Sequence, residues 1–263
     1  VIFHYGKESQ LFSNFLVNFI FKQANVAVSY FFLLSGFVMI IAYHKKTKIH
    51  FLEFIKNRLA RIYPVYLLAI ILLIMLLFFS KNNNFNGLFF NLFMLQSWFP
   101  KMALSFNVPA WSLSVEMFFY LIFPFLFNKF YFKTSFNKLL VIVLVLWILT
   151  QIITHIVLNI GVFSFFNFQK SDLFYHPIFH LNSFLIGNVL GIYLINKKEV
   201  KKNYDLHIII TALLLFLALK FNNFFNFQNG LLAVFFVPFI YFMACNTGLI
   251  TKLFNNKKAI LLG

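Results

Sequence analysis

Acidic side chains are almost missing from this sequence. Six Asp and Glu stand among 263 residues, and charged residues of both signs make up 11%, against about 25% in a typical soluble domain. Such a chain cannot cover a water-facing surface, which excludes an ordinary soluble globule. Cysteine is scarcer still: Cys245 alone leaves no intrachain disulfide and no cysteine-rich metal site. No cleavable signal peptide is visible. No internal repeat is evident either, so the inverted repeats of many transporters find no support. Arginine is rare, too: of 22 basic residues only Arg58 and Arg61 are arginines.

What is present is apolar. Hydrophobic residues make up 62% of the chain, 43 of them Phe. AT-rich codons encode Phe, Ile, Lys and Asn alike, so the Phe excess carries no function by itself. The composition predicts an all-α, polytopic transmembrane helix bundle. The formal charge of +16 would suggest nucleic acid in a soluble protein. Here the basic residues lie in short clusters between apolar runs, which points to membrane topology and a lipid bilayer as partner. Residues 1–5, VIFHY, read as the tail of a helix, and the last residues, KAILLG, as the start of an apolar run. One membrane domain over 1–263, incomplete at both ends, is therefore expected.

A membrane helix needs roughly 20 apolar residues. Candidate spans are 26–43, 65–80, 111–127, 139–158, 178–195, 207–220 and 231–244, the sixth of them short. Residues 88–99, LFFNLFMLQSWF, are apolar but only a dozen long. If they do not cross, 16 Lys and Arg share one side and 6 the other; if they cross, the split is 9 against 13. The first arrangement satisfies the rule that basic loops face the cytoplasm. Residues 88–99 are accordingly expected to be re-entrant or interfacial on the outer side, with seven complete spans.

Three stretches carry chemistry. In WSLSVEMFFYLIFPF, residues 111–125, Trp111 sits at the outer interface, where Trp is favoured. Glu116 then lies one to two turns inside the membrane, where a carboxylate costs ~2.5 to 3.5 kcal/mol. It is expected to face the bundle interior, either tying two helices together or contacting substrate. In EFIKNRLARIYPVY, residues 53–66, Arg58 and Arg61 share a helix face, and Pro64 is placed to start the next span. Two guanidiniums at the cytoplasmic mouth suit phosphate groups; positive-inside anchoring is the plainer reading. In FFLLSGF, residues 31–37, the Ser35–Gly36 pair lets another backbone or a thin ligand approach closely. Gly187 and Gly191, four apart in FLIGNVLG, fit small-residue helix packing. His176 and His180 are also four apart, without an acidic or cysteine partner nearby, so no metal site is expected. His4 ends the partial first span; an imidazole there can serve as a general base or simply as an interface residue.

Together FHYG at 3–6, YFFLLSGFVMI at 30–40, RLARIYP at 58–64, WSLSVEMFFYLIFPFL at 111–126 and FLIGNVLG at 184–191 resemble, in content and order, the acyltransferase family 3 integral-membrane acyltransferases. These are bacterial enzymes that acylate sugars of surface polysaccharides and related acceptors. The resemblance covers essentially the whole chain. It implies O-acyl transfer, most simply of acetyl, from cytoplasmic acyl-CoA to a glycan hydroxyl, in the inner membrane of a bacterium and without a cofactor. It matches His4 to the family's proposed catalytic base. In that reading Arg58 and Arg61 hold the CoA phosphates, and Ser35 and Gly36 leave room for pantetheine. Glu116 orients His4 or bonds the acceptor, with Trp111 and Ser112 on the acceptor side. The competing expectation is a transporter or exporter of polysaccharide or lipid-linked sugar, which a buried Glu and a cytoplasmic Arg pair would also serve.

Overall fold

The computed structural model describes residues 26–80, 85–160, 170–197, 201–221, 225, 227 and 229–256. Ten α-helices run in order: α1 Val26–Tyr43, α2 Phe51–Phe79, α3 Leu88–Leu92, α4 Trp111–Leu126, α5 Phe136–Ile160, α6 Lys170–Tyr175, α7 Pro177–Lys197, α8 Asp205–Lys220, α9 Ala233–Cys245 and α10 Leu249–Phe254. Among the described residues there is no strand, only an isolated bridge between Lys202 and Asn246. The fold is an all-α polytopic helix bundle.

Every expected span is a helix, but not every helix is long enough to cross. Five segments are: Val26–Tyr43, Phe51–Phe79, Val108–Tyr131, Phe136–Leu158 and Asp172–Lys197. α8 and α9 have 16 and 13 residues, or roughly 24 and 20 Å of rise, short of the ~30 Å hydrocarbon core. Among the described residues, five of the seven expected spans have the length to cross and the other two are these shorter helices. At one end of the pair Tyr204–Asp205 and Asn246 fold back on each other, as described below. α2 departs in the other direction. Pro64 does not begin it but lies inside one continuous helix of 29 residues. Pro64 has no N–H, so the Ala60 carbonyl loses its helical donor, yet the hydrogen bonds on either side carry the helix through. Much of α2 and α5 stays exposed, including Leu68, Leu72, Val141, Val145 and Ile148. Apolar faces of that extent need an apolar solvent.

The chain divides into two compact units, Ala42–Asn182 and the remainder, Val1–Ile41 with Ser183–Gly263. In the second, α1 and α7 meet backbone to backbone. A Cβ on Gly36 would collide with the Phe184 carbonyl, and one on Gly187 with the Leu33 carbonyl; one on Gly191 would stand 2.8 Å from Cβ of Ile40. The core beside them joins Leu33 and Phe37 of α1, Leu190 of α7 and Phe236 and Ile240 of α9. At one end Asp205 receives the Asn246 side-chain amide at 2.8 Å and the N–H groups of Leu249 and Ile250 at 2.6 and 3.2 Å. Asn246 itself accepts from the N–H groups of Tyr204 and Gly248. The Asn246 bond, with the two backbone donors, holds the Asp205 carboxyl below its usual range.

In the 42–182 unit the 88–99 stretch is a five-residue helix followed by 3₁₀ turns at Gln96–Trp98 and Pro100–Met102, too short to span. Its irregular backbone is satisfied by protein, as non-helical backbone at membrane depth must be. Tyr66 and Tyr63 of α2 donate to the carbonyls of Asn91 and Leu92 at 2.7 and 3.0 Å. Asn91 bonds the Gly87 and Ser105 carbonyls, Gln96 donates to the Ala110 carbonyl at 2.8 Å and Ser97 to that of Trp111 at 2.7 Å. Gly87 sits at φ +83° with Ser105 packed where a Cβ would stand. The far ends of α2 and α4 also meet. Asn128 accepts from Ile49 N–H at 2.9 Å and donates to the Ile49 carbonyl at 2.8 Å. The start of α2 and the end of α4 therefore share one side, as expected if 88–99 turns back.

Two outcomes follow. Gly187→Ala forces α1 and α7 apart and should cost ~1–3 kcal/mol, the usual penalty of overpacking; thermal unfolding in detergent measures it, and an unshifted midpoint would refute the close contact. With basic loops inside, single cysteines at residues 45–50 and 132–135 should both resist impermeant thiol reagents in intact cells; labelling of one but not the other would break the shared-side arrangement.

Candidate functional site

α4 begins where the 3₁₀ turn Val108–Ala110 delivers the chain to Trp111, and its first turn is anchored by Ser97 N–H on Ser114 Oγ at 3.3 Å. Counting along it, Glu116 and Tyr120 are four apart and share a face. The Tyr120 hydroxyl donates to Glu116 Oε1 at 2.5 Å. The half-buried carboxyl group is thus held by a buried side chain of its own helix.

The Tyr120 ring has a second partner. The Arg58 guanidinium lies 5.4 Å from its centroid, 5.1 Å from that of Phe54 and 5.6 Å from that of Tyr43. The rings brace one another: Tyr43 meets Phe54 edge-on at 5.3 Å, and Phe123 lies against both. Arg58 Nε is buried and has no hydrogen-bond partner among the described residues. Ring faces stabilise a desolvated guanidinium by about 0.5–2 kcal/mol each at best. Arg61, one turn on, is exposed. The pair that looked equivalent in sequence is thus split: Arg58 belongs to an aromatic box and Arg61 to the surface. Tyr120 joins Arg58 to Glu116, ring to one and hydroxyl to the other. A void of about 10 Å³ adjoins Arg58, Tyr120, Met94 and Met117, barely room for one water.

At the opposite end of α4 an aromatic group surrounds the helix start. Trp111 packs on Tyr175 at 5.1 Å and on His180 at 5.4 Å, while Trp98 packs on Phe118 and His176. His180 is fully buried, with Nε2 2.9 Å from the Phe174 carbonyl. Both histidines of the i, i+4 pair are therefore built into packing. Ser112 donates to the Pro109 carbonyl at 3.2 Å.

Of the residues singled out in sequence, Arg58 and Glu116 are brought together through Tyr120, and Trp111 and Ser112 lie at the first turn of the same helix. Ser35 is half-buried on α1. The room left by Gly36 is occupied by the α7 backbone, so of the two occupants the sequence allowed, a backbone or a thin ligand, the structure shows the backbone. His4 lies outside the described residues. Sequence reasoning missed Tyr120, Tyr43 and Phe54. The spacing of Glu116 and Tyr120 was legible, but in a chain with 22% aromatic residues one more tyrosine draws no notice.

Comparison with known proteins bears on this geometry. An acyltransferase from Streptomyces mycarofaciens, MdmB, is 39% identical over 108 residues, 38% of this chain. The match spans 27% of that relative's length. No solved structure matches. The family model for the acyltransferase domain of acyltransferase family 3 matches residues 1–261, nearly the whole sequence, and the chain belongs to that family.

Proposed function

We propose that this protein is a membrane-embedded O-acyltransferase. It moves an acyl group, most simply acetyl, from cytoplasmic acyl-CoA to a sugar hydroxyl of a surface or lipid-linked glycan, in the inner membrane of a bacterium. Family membership and the apolar helices support a membrane acyltransferase. The observation that carries the reading further is Tyr120, which couples the boxed Arg58 to Glu116. A guanidinium fixed by three rings presents its donors in a set direction, as recognition of a phosphate group requires.

In this reading the basic end of α2 receives the CoA phosphates, with Arg58 as the fixed contact and Arg61 and Lys56 as mobile ones. Ser35 lines the pantetheine path, while Gly36 serves helix packing. The acceptor oxygen attacks the thioester carbonyl, the C–S bond breaks, and the CoA thiol leaves. His4 takes the proton of the acceptor hydroxyl, the role that the family resemblance assigns to it. Glu116, aimed by Tyr120, hydrogen-bonds the acceptor or steadies the base during transfer. Trp111, held between Tyr175 and His180, offers an aromatic face of the kind on which a sugar ring packs, with Ser112 beside it.

Consumption of labelled acetyl-CoA by membranes containing the chain, with transfer to glycan read by mass analysis, tests this reading. Arg58→Lys keeps the charge but loses the planar, multi-donor guanidinium, and should raise the apparent KM for acyl-CoA at least tenfold. Arg61→Lys should change it less than threefold; equal effects would reduce both to topology anchors. Tyr120→Phe keeps the box and removes only the hydroxyl. The lost bond to a charged group is worth about 10- to 100-fold in rate, and Glu116→Gln should fall in the same range with thermal stability retained. Full activity of either variant would leave Glu116 a packing residue.

A further inference from the structure

Asn128 ties two basic loops together. Its bonds to Ile49, at 2.9 and 2.8 Å, join the loop after α1 to the π-turn Phe127–Tyr131 that follows α4. The chain neighbours come along: Lys48 and His50 on one side, Lys129 on the other. Lys45, Lys46 and Lys48 are exposed in the first loop, Lys129 and Lys133 in the second. Neither 44–50 nor 127–135 contains an acidic residue, and the nearest in sequence is Glu53 in the first turn of α2. Ile49 is buried at the join, so the spacing of the two loops is fixed.

Two of these ammonium groups lean back toward the membrane. Helix side chains tilt toward the N-terminus, and α1 and α4 both reach this end by their C-termini. Lys46 lies 5.4 Å from the ring centroid of Tyr43, the last residue of α1, and Lys129 lies 4.9 Å from that of Phe125, one turn back in α4. α7 repeats the couple at its own C-terminus, with Lys197 5.0 Å from the ring of Tyr193. Charge held over a ring at the end of a span stands at the edge of the hydrocarbon, the depth of lipid headgroups. Exposed apolar side chains flank the lysines: Phe51 and Leu52 beside the first loop, Phe125, Phe130 and Phe132 beside the second. A soluble anion gains nothing from that surface. A phospholipid brings a phosphate and acyl chains to it together.

We propose that the two loops clasped by Asn128 form a binding site for an anionic phospholipid. Its phosphate meets the lysines of both loops, and its acyl chains lie on the exposed phenylalanines. Charge decides the class of headgroup. A zwitterionic lipid would bring its own cation among five lysines with no carboxylate in either loop, whereas a net negative headgroup complements them. With basic loops inside, the cytoplasmic leaflet supplies the lipid. Each lysine near an anionic surface strengthens binding about fivefold. The clasp adds what a loose basic tail lacks, a fixed distance between cations from two parts of the chain.

The test uses the full chain in a neutral detergent, with dioctanoyl phosphatidylglycerol and dioctanoyl phosphatidylcholine as probes and retained lipid counted by native mass spectrometry. Retention of the anionic lipid about tenfold stronger or more is expected from the lysines; equal retention overturns the proposal. Lys46, Lys48, Lys129 and Lys133 changed together to Gln should bring the two lipids within about twofold, while the same four changed to Arg should keep the preference. A preference that survives the Gln set puts the lipid elsewhere and sinks the idea. So does an equal loss when Lys201, Lys202, Lys220 and Lys252 become Gln, because net charge alone is then responsible. Asn128→Leu leaves every charge in place and releases the clasp, so the preference should fall; an unchanged preference, with the protein folded by its thermal midpoint, overturns the fixed platform. Excess coenzyme A should not displace the lipid. Displacement would assign these lysines to a soluble phosphate ligand and end the proposal, with the acyl-CoA reading left standing.

Discussion

Backbone polarity inside a membrane is the constraint on which this structure turns. A helix pairs its own N–H and C=O groups; the stretch from Gly87 to Ala110, broken into short turns, does so only in part. Further bonds to its carbonyls come from Tyr63 and Tyr66 of α2 and from Asn91 and Gln96 within, and Ser97 bonds the Trp111 carbonyl that follows. Each unmade bond in such a place would cost ~1–3 kcal/mol or more. These few side chains therefore hold the segment that supplies Met94 to the small void beside Arg58 and Tyr120, and that sets the first turn of α4 under Glu116. The site's geometry is inherited from the way an irregular segment has been made acceptable to its surroundings.

The second organising fact is how a cation is kept half out of water: among the described residues, aromatic rings rather than a carboxylate lie against it. Arg58 rests among Tyr43, Phe54 and Tyr120, and the negative partner is reached through the Tyr120 hydroxyl. A direct buried ion pair would satisfy Arg58 and leave it little to offer a ligand. Ring faces lower the cost of desolvation without accepting the guanidinium's conventional hydrogen bonds. The arrangement keeps the positive group both fixed and available.

Much of the fold was legible, and the reasons for the rest are specific. Apolar runs located α1, α4, α5 and α7 almost to the residue, because a span is a statement about composition over roughly 20 positions. The charge split revealed the turn-back at 88–99 where hydropathy alone was ambiguous. Pro64 misled, since a proline at a polar-to-apolar border looks like a helix start when in fact the helix runs on through it. The shortness of α8 was legible in its run at 207–220, whereas the bonds that Asn246 and the start of α10 make to Asp205 join partners some 40 positions apart and were not. Arg58 and Glu116 stood out as rare residue types in their surroundings. Tyr120, Tyr43 and Phe54 did not, for the opposite reason. Gly36 announced a close approach but not its occupant, which only the position of Phe184 supplies.

α4 does not end as an ordinary helix. Past Pro124 it widens into a π-turn at Phe127–Tyr131, a form often found as a single turn at functional sites. A π-turn holds one residue more than the α-helix it interrupts, and one residue is about 100° of rotation. Asn128 lies within this turn, and its amide must face Ile49 for both of its bonds to form. Substitutions in this turn change contacts one at a time. Removal of a single residue ahead of Asn128 would swing its amide about 100° around the axis and away from Ile49, so in this segment length is a more stringent requirement than identity.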